Sequence, residues 1–263
     1  MSRIPSLQSS ARAPSARSDS HPAIDQQIGR WRLSALIGEG SLTCVYEARP
    51  DGCPPQGPAD YVAKMLRQSH QDDPVAVDLM RRWAMVSVWL THPHLVSILA
   101  AQVSEPPYYI VMPNLKGQSA ADLLRAEGSL TTPCALWIAR QIAQALIALH
   151  EAGWIHADIK PDNIIVSPEG HATLIDMGFA THQREAVRIT DRVFMGTMHY
   201  VAPEMFTSTL RSDSRSDIYS LGATLYEMLT GEPPFHGESM AELAEAHLTQ
   251  VAPNPRRLKP DLP

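Results

Sequence analysis

Apolar positions along the chain change their period near residue 113, and that change predicts two lobes. Before it the pattern alternates as in strands: Trp31 to Ile37 leads into a Gly38-Glu39-Gly40 turn, and Thr43 to Ala48 returns, which predicts a hairpin. Residues 50–58 are a Pro/Gly-rich connection, and 60–66 form a third strand. A helix over 74–90 and strands near 95–103 and 108–112 complete a small sheet with one helix. Beyond Gly117 the period becomes helical, with a short helix over 120–127 and a long one over 132–152 whose Leu136, Ile142, Leu146 and Leu149 are expected on one face. Residues 217–229 are apolar almost all round, as expected of a helix buried in a lobe centre. The hinge falls at Met112-Pro113-Asn114-Leu115, no internal repeat is apparent, and the fold class is α+β.

Residues 1–27 are rich in Ser, Pro, Ala and Arg and poor in large apolar side chains, so they cannot offset the entropy of ordering and read as a disordered tail. The remaining chain, 28–263, reads as one two-lobed domain, with a small lobe over about 28–113 and a large one over about 114–263. A net charge of -6 argues against nucleic-acid binding, which needs clustered positive charge. The three cysteines, Cys44, Cys53 and Cys134, are scattered, so neither a disulfide framework nor a zinc site is indicated, and a reducing cytoplasm fits. No apolar run reaches the roughly 18 residues of a membrane span, and the start lacks an apolar signal core.

The segment Ile155-His156-Ala157-Asp158-Ile159-Lys160-Pro161-Asp162-Asn163 carries the chemistry. Asp158 can accept or orient a hydroxyl proton, Lys160 can meet a transferring phosphoryl group, and Asn163 can hold a metal ion against phosphates. The segment resembles the catalytic loop of eukaryotic-type protein kinases, and the likeness is nearest to the bacterial eukaryotic-like Ser/Thr kinases. The resemblance covers residues 30–263 and implies a two-lobed kinase-like fold, ATP, and Mg²⁺ or Mn²⁺ as cofactor.

Other motifs join it. Gly38-Glu39-Gly40-Ser41-Leu42-Thr43-Cys44-Val45 is similar to the family's Gly-rich loop, where missing Cβ atoms let backbone amides approach phosphates. Val62-Ala63-Lys64 resembles the strand whose lysine contacts the α and β phosphates, and Asp176-Met177-Gly178 resembles the Asp-Phe-Gly metal-binding motif, 18 residues after Asp158. The resemblance thus implies Asp158, Lys160 and Lys64 as catalytic residues, and Asn163 and Asp176 as metal ligands. It implies Ile37, Gly38, Gly40, Ser41, Val45, Ala63, Lys64, Met112, Asn114 and Ile165 around the nucleotide. Gly196 to Glu204 resembles the segment that closes the activation loop. Thr190, Thr197 and Glu204 are assigned to that region, and Thr197 with Lys160 resembles Ser/Thr-directed kinases. Asp217 is implied to brace the catalytic loop from a buried helix, and His156 to be structural.

The pattern also breaks. Trp83 stands where the family has the glutamate that orients the lysine, and no Glu lies between Lys64 and Ala100. Lys64 is therefore expected to pair with Asp176 when no nucleotide is present. Ala157 replaces the Arg that in relatives meets an activation-loop phosphate, and Thr43 fills the third glycine position. Relatives continue with helices that supply an Arg to Glu204, so the large lobe is expected to lack its last helices and Glu204 its partner.

These features together read as a Ser/Thr protein kinase with weakened transfer to a protein Ser/Thr hydroxyl. The competing reading is a pseudokinase that binds nucleotide or a partner and signals by shape. A small-molecule kinase is disfavoured by the segment 197–204.

Overall fold

The computed structural model describes residues 26–54, 57–183, 198–206 and 213–262. The first lobe is a six-stranded antiparallel sheet in the order β1-β2-β3-β4-β6-β5. Its strands are β1 (Gln27–Ile28), β2 (Trp31–Glu39), β3 (Thr43–Pro50), β4 (Tyr61–Leu66), β5 (Ala100–Gln102) and β6 (Tyr109–Pro113). Helix α1 (Pro74–Trp89) starts where the Asp73 side chain accepts the Val75 amide and Pro74 supplies a preset φ.

Strand alternation splits the sheet into two apolar faces. One face carries Val62, Ile110 and Met112 and packs with Ala76, Val77, Met80, Trp83 and Val86 of α1. The other buries Leu33, Tyr46, Ala48, Ala63, Met65 and Val111 as a separate cluster.

The second lobe holds α2 (Ala120–Glu127), α3 (Thr132–Glu151), α4 (Ser214–Thr230) and α5 (Met240–Thr249). A three-stranded sheet orders β10 (Ala172–Leu174), β9 (Ile164–Val166) and β7 (Gln118–Ser119), and β8 (Trp154–Ile155) pairs with β11 (Thr181–His182). Helix α2 is framed by a Ser119/Asp122 capping box and by Gly128 at positive φ. Helix α3 packs against α4 and β10 in the lobe core. Among the described residues α3 is the one helix long and apolar enough, by length and composition, to cross a membrane.

Four expectations need correction. The strand expected over 95–103 is only Ala100–Gln102, because Leu95 and Val96 instead bridge to Leu174 of the other lobe. Strand β1 begins inside the stretch read as tail, since Ile28 finds a buried place beside Leu33 and Tyr109. Leu136 is 51% exposed. It lies six residues before Ile142, about 120° round the helix, and the buried stripe is Ala135, Ile138, Ile142, Ala145, Leu146 and Leu149. Helix α4 is not buried all round, since Ile218 is exposed.

Helix α5 is held by a ring cluster in which His247 meets Phe206, Tyr219 and Phe235. His247 is buried, its Nδ1 lies 2.7 Å from the Tyr219 hydroxyl, and burial, helped by His199, pushes its pKa down to about 4. On acidification the unfolded chain takes up this proton first. The stability that His247 contributes is therefore complete above pH 6.5 and lost as pH falls toward 4, on the order of 3 kcal/mol. Burial also lowers His92, His156 and His199, so the whole domain loses stability in the same direction. Melting temperatures of wild type and His247→Gln at pH 7.5 and 4.5 should converge at the acid end; an unchanged difference between the two pH values would contradict this account.

Candidate active site

The loop 156–163 is shaped from α4. Asp217 lies in the first turn of α4 and is fully buried. Its carboxylate accepts the backbone N–H groups of His156 at 2.8 Å and Ala157 at 2.7 Å, and it meets His150 Nε2 of α3 at 2.8 Å. These contacts hold Ala157 at φ 67°, a left-handed conformation that costs a non-glycine residue roughly 1–2 kcal/mol. His156 is fully buried, and desolvation lowers its pKa against the pull of Asp217, so the ring stays neutral and its Nδ1 accepts the Asp158 amide at 3.3 Å. His156 is thus a packing and turn-forming residue, and His150 is a brace the sequence reading missed.

Past this turn the loop presents its polar groups together. Lys160 Nζ lies 3.0 and 2.9 Å from the two oxygens of Asp158. Asn163 Nδ2 donates to the Asp158 carboxylate at 2.7 Å and to its backbone carbonyl at 2.8 Å. The Ile175 amide donates to Asn163 O at 2.8 Å and so ties the neighbour of Asp176 to the same turn.

Asp176, at φ 65°, meets Lys64 Nζ at 2.5 Å through Oδ2 and the Gly178 amide at 3.4 Å through Oδ1. Burial pushes its pKa up, but Lys64 and the hydrogen bonds outweigh that and hold the carboxyl below its usual range. The pairing expected from the missing glutamate is therefore present. Trp83 of α1 is 2% exposed, with Lys64 Nζ 4.5 Å from its ring centroid. Lys64 thus has a carboxylate on one side and an indole face on the other.

These groups open into a cavity of about 330 Å³ lined by Gly38, Gly40, Ser41, Val45, Lys64, Trp83, Asp158, Lys160 and Asp176. The sequence reading missed Leu66, Ala76, Leu79, Met80 and Phe179, which also line it and carry no motif of their own. Two ammonium groups suit phosphates, and carboxylate oxygens suit a hard divalent cation that takes its other ligands from phosphate and water; Asn163, buried behind Asp158, does not line the cavity. The fold itself makes no demand for glycine in the β2–β3 turn. A Cβ on Gly38 would meet Val45 at 3.5 Å and one on Gly40 would meet the Thr43 carbonyl at 3.6 Å, both ordinary contacts. Glycine there suits a ligand that approaches the backbone.

Other residues assigned to the nucleotide do not line this cavity. Ile37 is half-exposed beyond it, Met112 is buried in the main core, and Ile165 is half-buried on β9. Asn114 spends its side-chain amide on the Ala59 carbonyl at 2.8 Å, and its backbone N–H donates to Asp60 at 2.8 Å, so it fastens the hinge to the entrance of β4. Ala63 is a correction: one position before Lys64 on a strand, it faces the opposite cluster with Leu33 and Tyr46, and Val62 shares the lysine's face. Glu204 is another, since it accepts the Ser216 hydroxyl at 2.5 Å and so is not left without a partner. Thr190 and Thr197 lie outside the described residues.

A curled antiparallel lobe over a helical one, with a lysine, two aspartates and an asparagine at the seam, defines the class: this is a protein kinase domain, and the protein kinase domain family matches residues 31–261. The chain belongs to that family. It is 37% identical over 239 residues to the serine/threonine-protein kinase PknE of Mycobacterium tuberculosis, which covers 90% of this chain and 41% of that protein. It is 35% identical over 243 residues to PknD of the same species, covering 92% and 36% respectively. It is 33% identical over 235 residues to the serine/threonine-protein kinase PrkC of Bacillus subtilis, covering 89% and 36%. The chain thus spans about two-fifths of the length of these relatives.

Proposed function

We propose that this domain transfers the γ-phosphoryl group of ATP to a Ser or Thr hydroxyl of a protein substrate. The observation that carries the reading is the meeting of Asp158, Lys160, Lys64 and Asp176 around one cavity beneath a glycine-bearing turn. Asp158 accepts the hydrogen bond of the incoming hydroxyl, orients its lone pair and takes its proton as the oxygen bonds to the γ-phosphorus and the bond to the bridging oxygen breaks, releasing ADP. Lys160, already on Asp158, faces the charge that develops on the transferring group. Asp176 and the Asn163 side-chain oxygen would hold Mg²⁺, or Mn²⁺ in its place, which neutralises charge on the phosphate oxygens. Lys64 leaves Asp176 to meet the nucleotide's phosphates.

Transfer is weakened, because the ring of Trp83 offers Lys64 no hydrogen-bond acceptor, and a reacting group misplaced by about 1 Å can cost on the order of 100-fold in rate. The second reading, a pseudokinase that holds nucleotide or a partner, draws on that same substitution. The net charge of -6 disfavours nucleic acid as a partner, and three scattered cysteines fit a reducing, cytoplasmic setting.

Labelled ATP, Mg²⁺ and a basic acceptor protein test the proposal. The wild type should label Ser and Thr of the acceptor, and Lys64→Met should reduce labelling by about 10²-fold. ATP binding without any transfer by the wild type would favour the pseudokinase.

A further inference from the structure

The ring of Trp83 occupies a position that packing alone does not explain. Its side chain is 2% exposed in the core beneath α1, and its indole N–H has no hydrogen-bond partner among the described residues. A buried donor left unmade costs roughly 1–3 kcal/mol, and a phenyl or leucyl side chain would fill apolar space without it. What the indole supplies and those side chains do not is the strongest cation-binding face among the natural aromatic rings. That face lies 4.5 Å from Lys64 Nζ.

We propose that Trp83 is a positioning residue that aims Lys64 through its ring face, and that it keeps this hold when Asp176 turns from the lysine to a divalent cation. The proposal rests on the kinase reading for its consequence in the reaction. With no nucleotide, Lys64 divides itself between the Asp176 carboxylate at 2.5 Å and the ring. A cation on Asp176 removes the first of these, and no glutamate on α1 replaces it. The ring is neutral, so it holds the ammonium without competing with phosphate oxygens for its N–H donors. It is also fixed, because Met80, Val86 and Trp83 form one buried face of α1, so the lysine's support does not depend on forming an ion pair across the cleft.

Fluorinated tryptophans introduced at position 83 by nonsense suppression test this directly, because one to four fluorines drain the ring's negative face while nearly preserving its shape. The measurements are kcat/KM for labelled transfer and the dissociation constant of ATP with Mg²⁺. Both should worsen in step with fluorine number, reaching about 3- to 30-fold at four fluorines. The same series at Trp89, which is 75% exposed at the end of α1, should be flat. A flat series at position 83 overturns the proposal, since a merely space-filling indole would tolerate fluorine. If the wild type transfers no label, the kinase reading fails by itself, and the dissociation constants still decide whether the ring holds the lysine.

Discussion

Asp158→Asn is expected to lower phosphoryl transfer by roughly 10²- to 10⁴-fold while ATP binding stays within about twofold of wild type. The substitution keeps the shape of a side chain that is mostly buried and removes only the charge and the proton-accepting oxygen. Lys160 and Asn163 both donate to this carboxylate, Lys160 at 2.9 and 3.0 Å and Asn163 at 2.7 Å. Lys160 and Asn163 meet at Oδ2, where an amide oxygen can still accept from both, but the NH₂ then stands at the Oδ1 place and Lys160 loses the contact it makes there. Nucleotide affinity should persist because Lys64, the glycine-bearing turn and Asp176 remain. Single-turnover label transfer, with ATP binding measured by calorimetry on the same samples, checks this. A variant that retains transfer within tenfold of wild type would move the proton-accepting role away from Asp158.

Asp217→Ala should be the most damaging substitution for stability. It strips the acceptor from two backbone N–H groups and from His150, all in a site with no solvent at the carboxylate. Breaking a buried charge network of this kind costs about 3–5 kcal/mol, and for a domain of this size that lowers the melting temperature by roughly 6–20 °C. A second effect follows from Ala157, whose φ of 67° is held by one of these bonds. Released, Ala157 relaxes toward negative φ and carries Asp158 off its aim, so kcat should fall about 10-fold or more even well below the melting temperature. His150→Ala, which removes only one of the three contacts, should cost about 1–2 kcal/mol and spare kcat. If Asp217→Ala melts early yet turns over at the wild-type rate in the cold, the carboxylate stabilises the lobe without shaping the loop.

Much of the architecture was legible because local chemistry and tertiary packing agree. The helix expected over 120–127 coincides with α2, since a capping box at Ser119 and Asp122 opens it and Gly128 closes it. The helix expected over 74–90 ends one residue earlier, where Leu90 turns to extended backbone. Ala63 was readable and misread: alternation on β4 already puts Val62, not Ala63, on the face of Lys64. Leu136 is the same kind of miss on a helix, because its spacing from Ile142 does not repeat a turn. By contrast, no local signal foretells that Asn114 would spend its amide on Ala59, or that Leu95 would bridge to Leu174. Both contacts depend on how distant segments meet.

The sequence by itself determined the period of each element, the spacing of Asp158, Lys160, Asn163 and Asp176, and the absence of a glutamate on α1. Those are properties of neighbours along the chain, fixed by covalent order and helical or strand geometry. The pairing of Lys64 with Asp176 was foreseeable from the motifs, but only the tertiary structure decided that the ring of Trp83 also meets Lys64, that His150 joins Asp217, and that Ser216 meets Glu204. These last contacts join residues separated by 12 or more positions, and their geometry depends on how buried faces pack, which no local pattern encodes.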